Sequence, residues 1–160
     1  MTHTLAETPL GVLIVAGTAD GVTAAAFADS AAEAEALHHA RFPRSERGTG
    51  AVVGWCAAIA DEVTSGRPAT VPVAATGTPF QRRVWAWLAT IPRGETSTYA
   101  AGAVALGSPT AVRAVAGAVA ANPAGVVVPC HRVVGTDGRL RGYRWGVERK
   151  AALLKLERGA

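Results

Sequence analysis

The pattern of the chain changes at Ala74-Ala75-Thr76-Gly77, and this change constrains the fold more than any other feature. Before it, residues 10–16 (Leu-Gly-Val-Leu-Ile-Val-Ala) and 22–28 (Val-Thr-Ala-Ala-Ala-Phe-Ala) form short apolar runs around Thr18-Ala19-Asp20-Gly21, where Asp-Gly favours a hairpin turn. After it, Phe80, Val84, Trp87, Leu88 and Ile91 recur at helical spacing behind Thr78-Pro79, a capping residue and a first-turn proline. Two units are expected: an α/β supporting domain over residues 1–75 and a mainly helical domain over 76–160.

In the first unit a β-hairpin is expected to open the chain. Ser30 is placed to cap a helix running to about Ala40, and a second helix is expected over 51–65, ended by Ser65-Gly66-Arg67-Pro68. His38 and His39 fall at the end of the first helix, where cations suit the dipole, so no metal role is expected for them. Val71-Pro72-Val73 reads as a short edge strand. In the second unit a helix from Thr98 to Leu106 stops at Gly107, and Ser108 and Pro109 open another that runs to Ala121. Two short helices joined in this way form a helix-turn-helix. Val126-Val127-Val128 reads as a buried strand, Asp137-Gly138 as a turn, and Val147 to Glu157 as the final helix.

An apolar content of 49% over 160 residues is ample for a packed core. The Ala-Val-rich segment 114–121 is cut by Asn122-Pro123 well short of the ~20 residues that cross a bilayer, so no membrane span is expected. The first residues lack the basic start and apolar core of a secretory signal, which makes the cytoplasm the expected compartment. The net charge is +4, and from Arg82 onward arginines outnumber acids, so the second half is the expected polyanion face.

Cys56 and Cys130 are the two cysteines, and their spacing fits neither a disulfide framework nor a zinc site. Cys56 lies within a helical apolar pattern and reads as core. Cys130 stands in Pro129-Cys130-His131-Arg132, where cationic neighbours are expected to favour the thiolate. Adjacent residues of an extended chain point apart, so a bend after Pro129 and a water relay are expected to connect His131 to the thiol. Glu157 sits at the end of the last helix, against the dipole, and is expected to find a partner such as His131. A structural cysteine beside a solvated His-Arg pair is the competing account. The second helix of the pair carries one charged residue, Arg113, too few polar groups to read base edges. Its small residues allow either close approach to DNA or simple burial.

Together these motifs resemble the O6-alkylguanine-DNA alkyltransferases. The resemblance is carried by Gly77-Thr78-Pro79-Phe80-Gln81, Ile91-Pro92-Arg93-Gly94-Glu95-Thr96, Tyr99, Arg113-Ala114-Val115, Asn122-Pro123, Pro129-Cys130-His131-Arg132-Val133, Gly142-Tyr143, Gly146, and Lys150 through Glu157. It implies an α/β (α+β) chain with a ribonuclease-H-like first domain and a winged-helix-like second domain. It also implies single-turnover repair, in which Cys130 takes the alkyl group from O6 of a flipped guanine, possible activity on O4-methylthymine, and no cofactor. His131 would be the base and Glu157 its orienter, with Asn122 organising the backbone near Cys130. Tyr99 would turn the target phosphate and donate to the guanine, and Arg113 would fill the emptied stack. Arg132, Val133, Tyr143, Arg144 and Trp145 are expected to contact substrate or DNA, with Tyr143 to Gly146 forming a loop over the guanine. The implied partner is double-stranded DNA bound with little sequence preference, by the minor groove and as a monomer, on the nucleoid when engaged.

The loop Tyr143-Arg144-Trp145-Gly146 is similar to that of the Ada-type adaptive-response proteins. Trp145 is expected to narrow the pocket and favour O6-methyl over O6-benzyl guanine, while Gly125 could reopen some space. No structural zinc is expected, because His3, His38 and His39 have no cysteine partners. A stand-alone repair protein, or one part of a split system, is expected. The rival readings are a non-catalytic lesion-recognition protein, a helix-turn-helix transcription regulator, and a cysteine hydrolase using the same three residues.

Overall fold

The computed structural model describes residues 1–159. The chain divides into two compact units, Met1–Ala75 and Thr76–Ala160.

The first unit is a four-stranded sheet with two helices. Its strands are β1 (Thr2–Thr8), β2 (Gly11–Thr18), β3 (Gly21–Ala28) and β4 (Glu46–Arg47), in the order β3-β2-β1-β4. The hairpin forms at Asp20-Gly21 as expected, but it does not open the chain: β1 precedes it, antiparallel to β2 from Thr2↔Gly17 to Thr8↔Gly11. That strand carries no apolar run, and its side chains are mostly half-buried, so its threonines and full hydrogen-bond ladder define it rather than hydrophobicity. β4 adds to β1 in parallel. Val71-Pro72-Val73 yields a single bridge, Val73 to Val22, because the proline has no N–H for a ladder.

Helix α1 (Ala31–Arg41) begins at Ser30, whose hydroxyl accepts from Glu33 N–H, and α2 (Ala51–Ser65) ends at Gly66 in a left-handed conformation. Val12 and Ile14 of β2 pack with Ala28 and with Ala34 of α1. The alternate residues Leu13 and Val15 are fully buried on the opposite face. A Cβ on Gly17 would lie 2.7 Å from the Trp55 ring, so glycine there lets α2 close onto the sheet.

His38 and His39 do more than end a helix. Their rings cluster with His3 of β1 at centroid separations of 4.7 Å (His3–His38), 5.1 Å (His3–His39) and 5.8 Å (His38–His39). His3 and His38 are buried, and each has an Nε2 without a hydrogen bond.

The second unit is mainly helical. Helix α3 (Pro79–Leu88) starts with a complete capping box: Gln81 N–H donates to Thr78 Oγ1 at 3.1 Å and Thr78 N–H donates to Gln81 Oε1 at 2.9 Å. Ile91, expected on this helix, lies beyond its end. A two-residue strand β5 (Ser97–Thr98) leads into α4 (Tyr99–Ala105), which packs against α5 (Val112–Ala120). Helix α5 starts three residues later than Pro109, because Ser108 N–H returns to the Ala103 carbonyl and Ala111 N–H to Ser108, closing a turn instead of a helix. Trp85 Nε1 donates to the Ala118 carbonyl at 2.8 Å, tying α3 to α5. Val84, Leu88 and Val115 are fully buried around that contact, each contributing about 1.5–3 kcal/mol by burial.

The segment 126–128 is a turn and not a strand. Val126 is left-handed at φ 69°, a costly conformation for a β-branched residue. Asn122 supplies the hydrogen bonds that a sheet would have given. Beyond it, Cys130–Arg132 forms a 3-10 turn, Val133–Val134 (β6) pairs in parallel with β5, and α6 (Val147–Gly159) closes the unit.

Candidate active site

Cys130 begins the 3-10 turn, so the chain bends after Pro129 as the sequence requires. The residue is 5% exposed and lines a cavity of about 210 Å3. Ala116, Val119 and Ala120 of α5 give one wall, and Tyr99, Asn122, Tyr143 and Arg144 also border it. The small residues of α5 thus have a local purpose: they leave room for this space.

The electrostatics of the thiol differ from the sequence expectation. Burial pushes the Cys130 pKa up, and the net direction is upward. Opposing it are a side-chain hydrogen bond from Asn122, then the Lys150 ammonium, a backbone N–H and the Arg144 guanidinium. His131 and Arg132, the adjacent residues, are not among those influences. In the closed site the sulfur is therefore held as a thiol, and attack needs a proton acceptor.

The residue next to Cys130 in sequence carries an imidazole. His131 is fully buried, and its Nε2 lies 2.6 Å from Glu157 Oε1. The Glu157 pKa is lowered to about 2: burial acts upward, but hydrogen bonds from His131 and Arg132 and their charges outweigh it. An ionised carboxylate only accepts, so Nε2 carries a proton. Nδ1 is buried and makes no hydrogen bond.

Asn122, 1% exposed, organises the backbone behind the sulfur. Its Nδ2 donates to the Val128 carbonyl at 2.9 Å and the Ala124 carbonyl at 3.4 Å, and its Oδ1 accepts from Ala124 N–H at 3.0 Å. Tyr143 has a buried hydroxyl without a hydrogen bond, and burial first and Cys130 second hold its pKa well above the usual value. Tyr99 follows the Thr98 cap of α4, and its pKa is raised by burial and by Cys130.

Four of the residues expected to contact substrate or DNA lie outside the cavity lining. Arg132 spends its guanidinium on Glu157 and on the Ile91 carbonyl and does not border the cavity. Val133 is fully buried in the β5–β6 pair, where an apolar side chain packs better than it would against a ligand. Trp145 is also absent from the cavity wall: it is 9% exposed and packs edge-on against the Tyr143 ring at 5.2 Å. Arg144 borders the space instead, with Nη1 donating to the Asn122 carbonyl at 3.5 Å. Arg113 is exposed near the start of α5 and lies outside the cavity lining.

Sequence reasoning missed the part played by Lys150. It is fully buried, and its Nζ donates to the Arg141 carbonyl at 2.8 Å and the Gly142 carbonyl at 3.4 Å, at the start of the loop carrying Tyr143. Its pKa is lowered by burial, with Cys130 acting in the opposite direction. The signal was available: residues 150, 153, 154 and 157 share one helical face, and a lysine beside two leucines there is an inward-facing charge.

A buried thiol, an imidazole held by a carboxylate, and an adjoining space for a small group define a protein of the nucleophilic-cysteine class, on a mixed α/β framework. The family model for the 6-O-methylguanine DNA methyltransferase DNA-binding domain matches residues 79–159. The chain belongs to the methylated-DNA–protein-cysteine methyltransferase family. The Mycolicibacterium paratuberculosis methylated-DNA–protein-cysteine methyltransferase is 40% identical over 152 residues, 95% of this chain and 89% of that protein. The bifunctional transcriptional activator/DNA repair enzyme Ada of Escherichia coli is 58% identical over 90 residues, 56% of this chain, and the match spans 25% of that relative's length. The crystal structure of Mycobacterium tuberculosis OGT in complex with DNA superposes with a TM-score of 0.85 at 34% identity, covering 99% of this chain and 94% of that one.

Proposed function

We propose that this protein repairs alkylated DNA by direct reversal, taking the alkyl group from O6 of guanine onto Cys130. The observation that carries this reading is the 2.6 Å His131–Glu157 contact next to a cysteine that lines a small, partly open cavity. His131 Nδ1 accepts the thiol proton through a water. The sulfur lone pair forms a C–S bond as the C–O6 bond breaks, and Tyr99 donates a proton to the departing guanine. A thioether is not hydrolysed, so each molecule acts once.

The cavity of about 210 Å3 admits a base only if the nucleotide leaves the duplex. Exposed Arg113 on α5 is placed to occupy the gap, and the small side chains of that helix suit a minor-groove approach with little sequence preference. The α4–α5 pair acts as a helix-turn-helix, winged-helix-like with the β5–β6 pair. The sheet order β3-β2-β1-β4, with only β4 parallel, supports a ribonuclease-H-like reading of the first unit, which serves the second as a support. Among the described residues no helix is long and apolar enough to cross a membrane. Action as a monomer in the cytoplasm completes the reading.

The test is intact and peptide mass spectrometry after mixing the protein with a duplex carrying one O6-methylguanine. One added methyl on Cys130, with guanine restored, is the expected result. Tight lesion binding with no mass gain would make this a recognition protein, and turnover of an ester without modification would make it a hydrolase.

A further inference from the structure

Arg132 is the one expected DNA contact whose charge is fully committed inside the protein. Its Nε donates to Glu157 Oε2 at 3.0 Å, its Nη2 to Oε1 at 2.9 Å, and its Nη1 to the Ile91 carbonyl at 2.7 Å. Its side chain is 12% exposed and that of Glu157 is 3% exposed, so water competes little with these bonds. This is a two-point fork, the geometry in which a guanidinium fixes the plane of a carboxylate. The carboxylate needs such fixing, because it hangs on a flexible side chain in the last turn of α6, at the unfavourable pole of the helix dipole.

The groups facing the His131–Glu157 pair are Arg132 from the 3-10 turn, Arg93 from the loop after α3 with Nη1 4.0 Å from Oε1, and Tyr143 from the loop before α6. Cys130 adjoins the imidazole in sequence, and Lys150 acts on the cysteine from α6. Around the carboxylate both cations are arginines, and one is locked onto both of its oxygens.

We propose that Arg132 is a positioning residue for alkyl transfer: it holds Glu157 so that the proton stays on His131 Nε2 and Nδ1 remains free to accept the thiol proton. This rests on the reading of His131 as the base. The fork acts in two ways. It aims Oε1 at Nε2, which selects one tautomer. Its charge also shares the carboxylate with the imidazole, weakening the attraction of Glu157 for a second proton on the ring. Arg93 adds to the second effect without the first.

Three variants of the full chain test this: Arg132→Met, Arg132→Lys and Glu157→Gln. Single-turnover methyl transfer is followed from acid to alkaline pH, the His131 tautomer is read by nitrogen NMR, and the affinity for undamaged duplex is measured against salt. Arg132→Met should lower the plateau rate roughly tenfold to a hundredfold, less than the ~10²–10⁴-fold of a lost general base because the imidazole itself remains. It should also move the acid limb to higher pH and give mixed tautomers, with DNA affinity unchanged. Arg132→Lys should restore the acid limb, which needs charge, but not the plateau, which needs the fork.

An unchanged profile and tautomer in Arg132→Met would overturn the proposal. So would a loss confined to DNA affinity with the salt slope reduced by about one, the mark of a phosphate contact. Should Arg132→Met fail to fold, Arg132→Lys decides: a parental plateau and tautomer would dismiss the fork. If Glu157→Gln transfers methyl at the parental rate, the base reading itself falls, independently of Arg132.

Discussion

Each unit of this protein buries one cysteine, and the two differ in what else is buried with them. Cys56 in α2 is 2% exposed, with its sulfur 4.0 Å from the Thr4 carbonyl, and burial alone pushes its pKa up to about 11. Cys130 is buried nearly as deeply, but Asn122, Lys150, a backbone N–H and Arg144 all work against the burial. The histidines differ too. His131 has a carboxylate at 2.6 Å, whereas buried His38 packs between the rings of His3 and Phe42, and its Nε2 makes no hydrogen bond. Low exposure therefore does not mark function; the polar company of the buried group does.

The sharpest way to break this comparison is to exchange the fates of the two thiols. Cys130→Ala should abolish methyl transfer while leaving lesion binding measurable, and Cys56→Ala should leave transfer at the parental rate, both read by mass spectrometry. Transfer that survives in Cys130→Ala would end the distinction. Next in size, Asn122→Ala strips the Val128 carbonyl and Ala124 N–H of buried partners. It should cost roughly 3–4 kcal/mol in urea unfolding, at about 1–3 kcal/mol for each unsatisfied group, and slow transfer with it.

The histidine cluster gives the third test, through acid. His38 has its pKa lowered to about 4, by burial first and by His3 and His39 after it. Between pH 6.5 and about 4 the unfolded chain binds a proton that the folded one refuses, so stability falls as pH falls through that window. The loss approaches about 3 kcal/mol and levels off below it. His38→Leu should flatten that slope in unfolding experiments. Glu157 acts in the same direction but in a lower window: its contribution is present above pH 4.5 and is lost as pH falls toward about 2. A single acid transition near pH 3 in the parent would erase the contrast. The smallest effect belongs to Cys56→Ala, about 1–2 kcal/mol of stability for a modest cavity.

Local chemistry was legible where a residue does one local job. Ser30, Thr78 with Pro79, and Asp20-Gly21 each specify a cap or turn by their own hydrogen bonds or backbone preference, and all three act as read. The bend at Cys130 and the pairing of Glu157 with His131 followed from asking what an awkward residue needs. The failures share a cause. Three consecutive valines read as a strand because β-propensity ignores Asn122, which replaces the ladder with side-chain bonds. Thr2–Thr8 was hidden because its strand character comes from its partner. Arg132 turns to Glu157 and Trp145 to the Tyr143 ring, and neither direction is written locally, because which way a side chain leaves the backbone is set by long-range packing. The expected cationic activation of the thiol failed for the same reason: the residues adjacent in sequence to Cys130 turn to Glu157, and the counter-charges come from Arg144 and Lys150.

One carboxylate also sets the order in which this protein becomes competent during its own synthesis. Glu157 bonds to residues 131 and 132, and Arg132 in turn reaches back to the Ile91 carbonyl, so the support for the imidazole spans most of the second unit. A ribosome that has delivered Cys130 and His131 has yet to deliver the residue that tells the imidazole where its proton belongs. Until α6 emerges and packs, the imidazole of the nascent chain lacks the carboxylate that the finished protein sets against it.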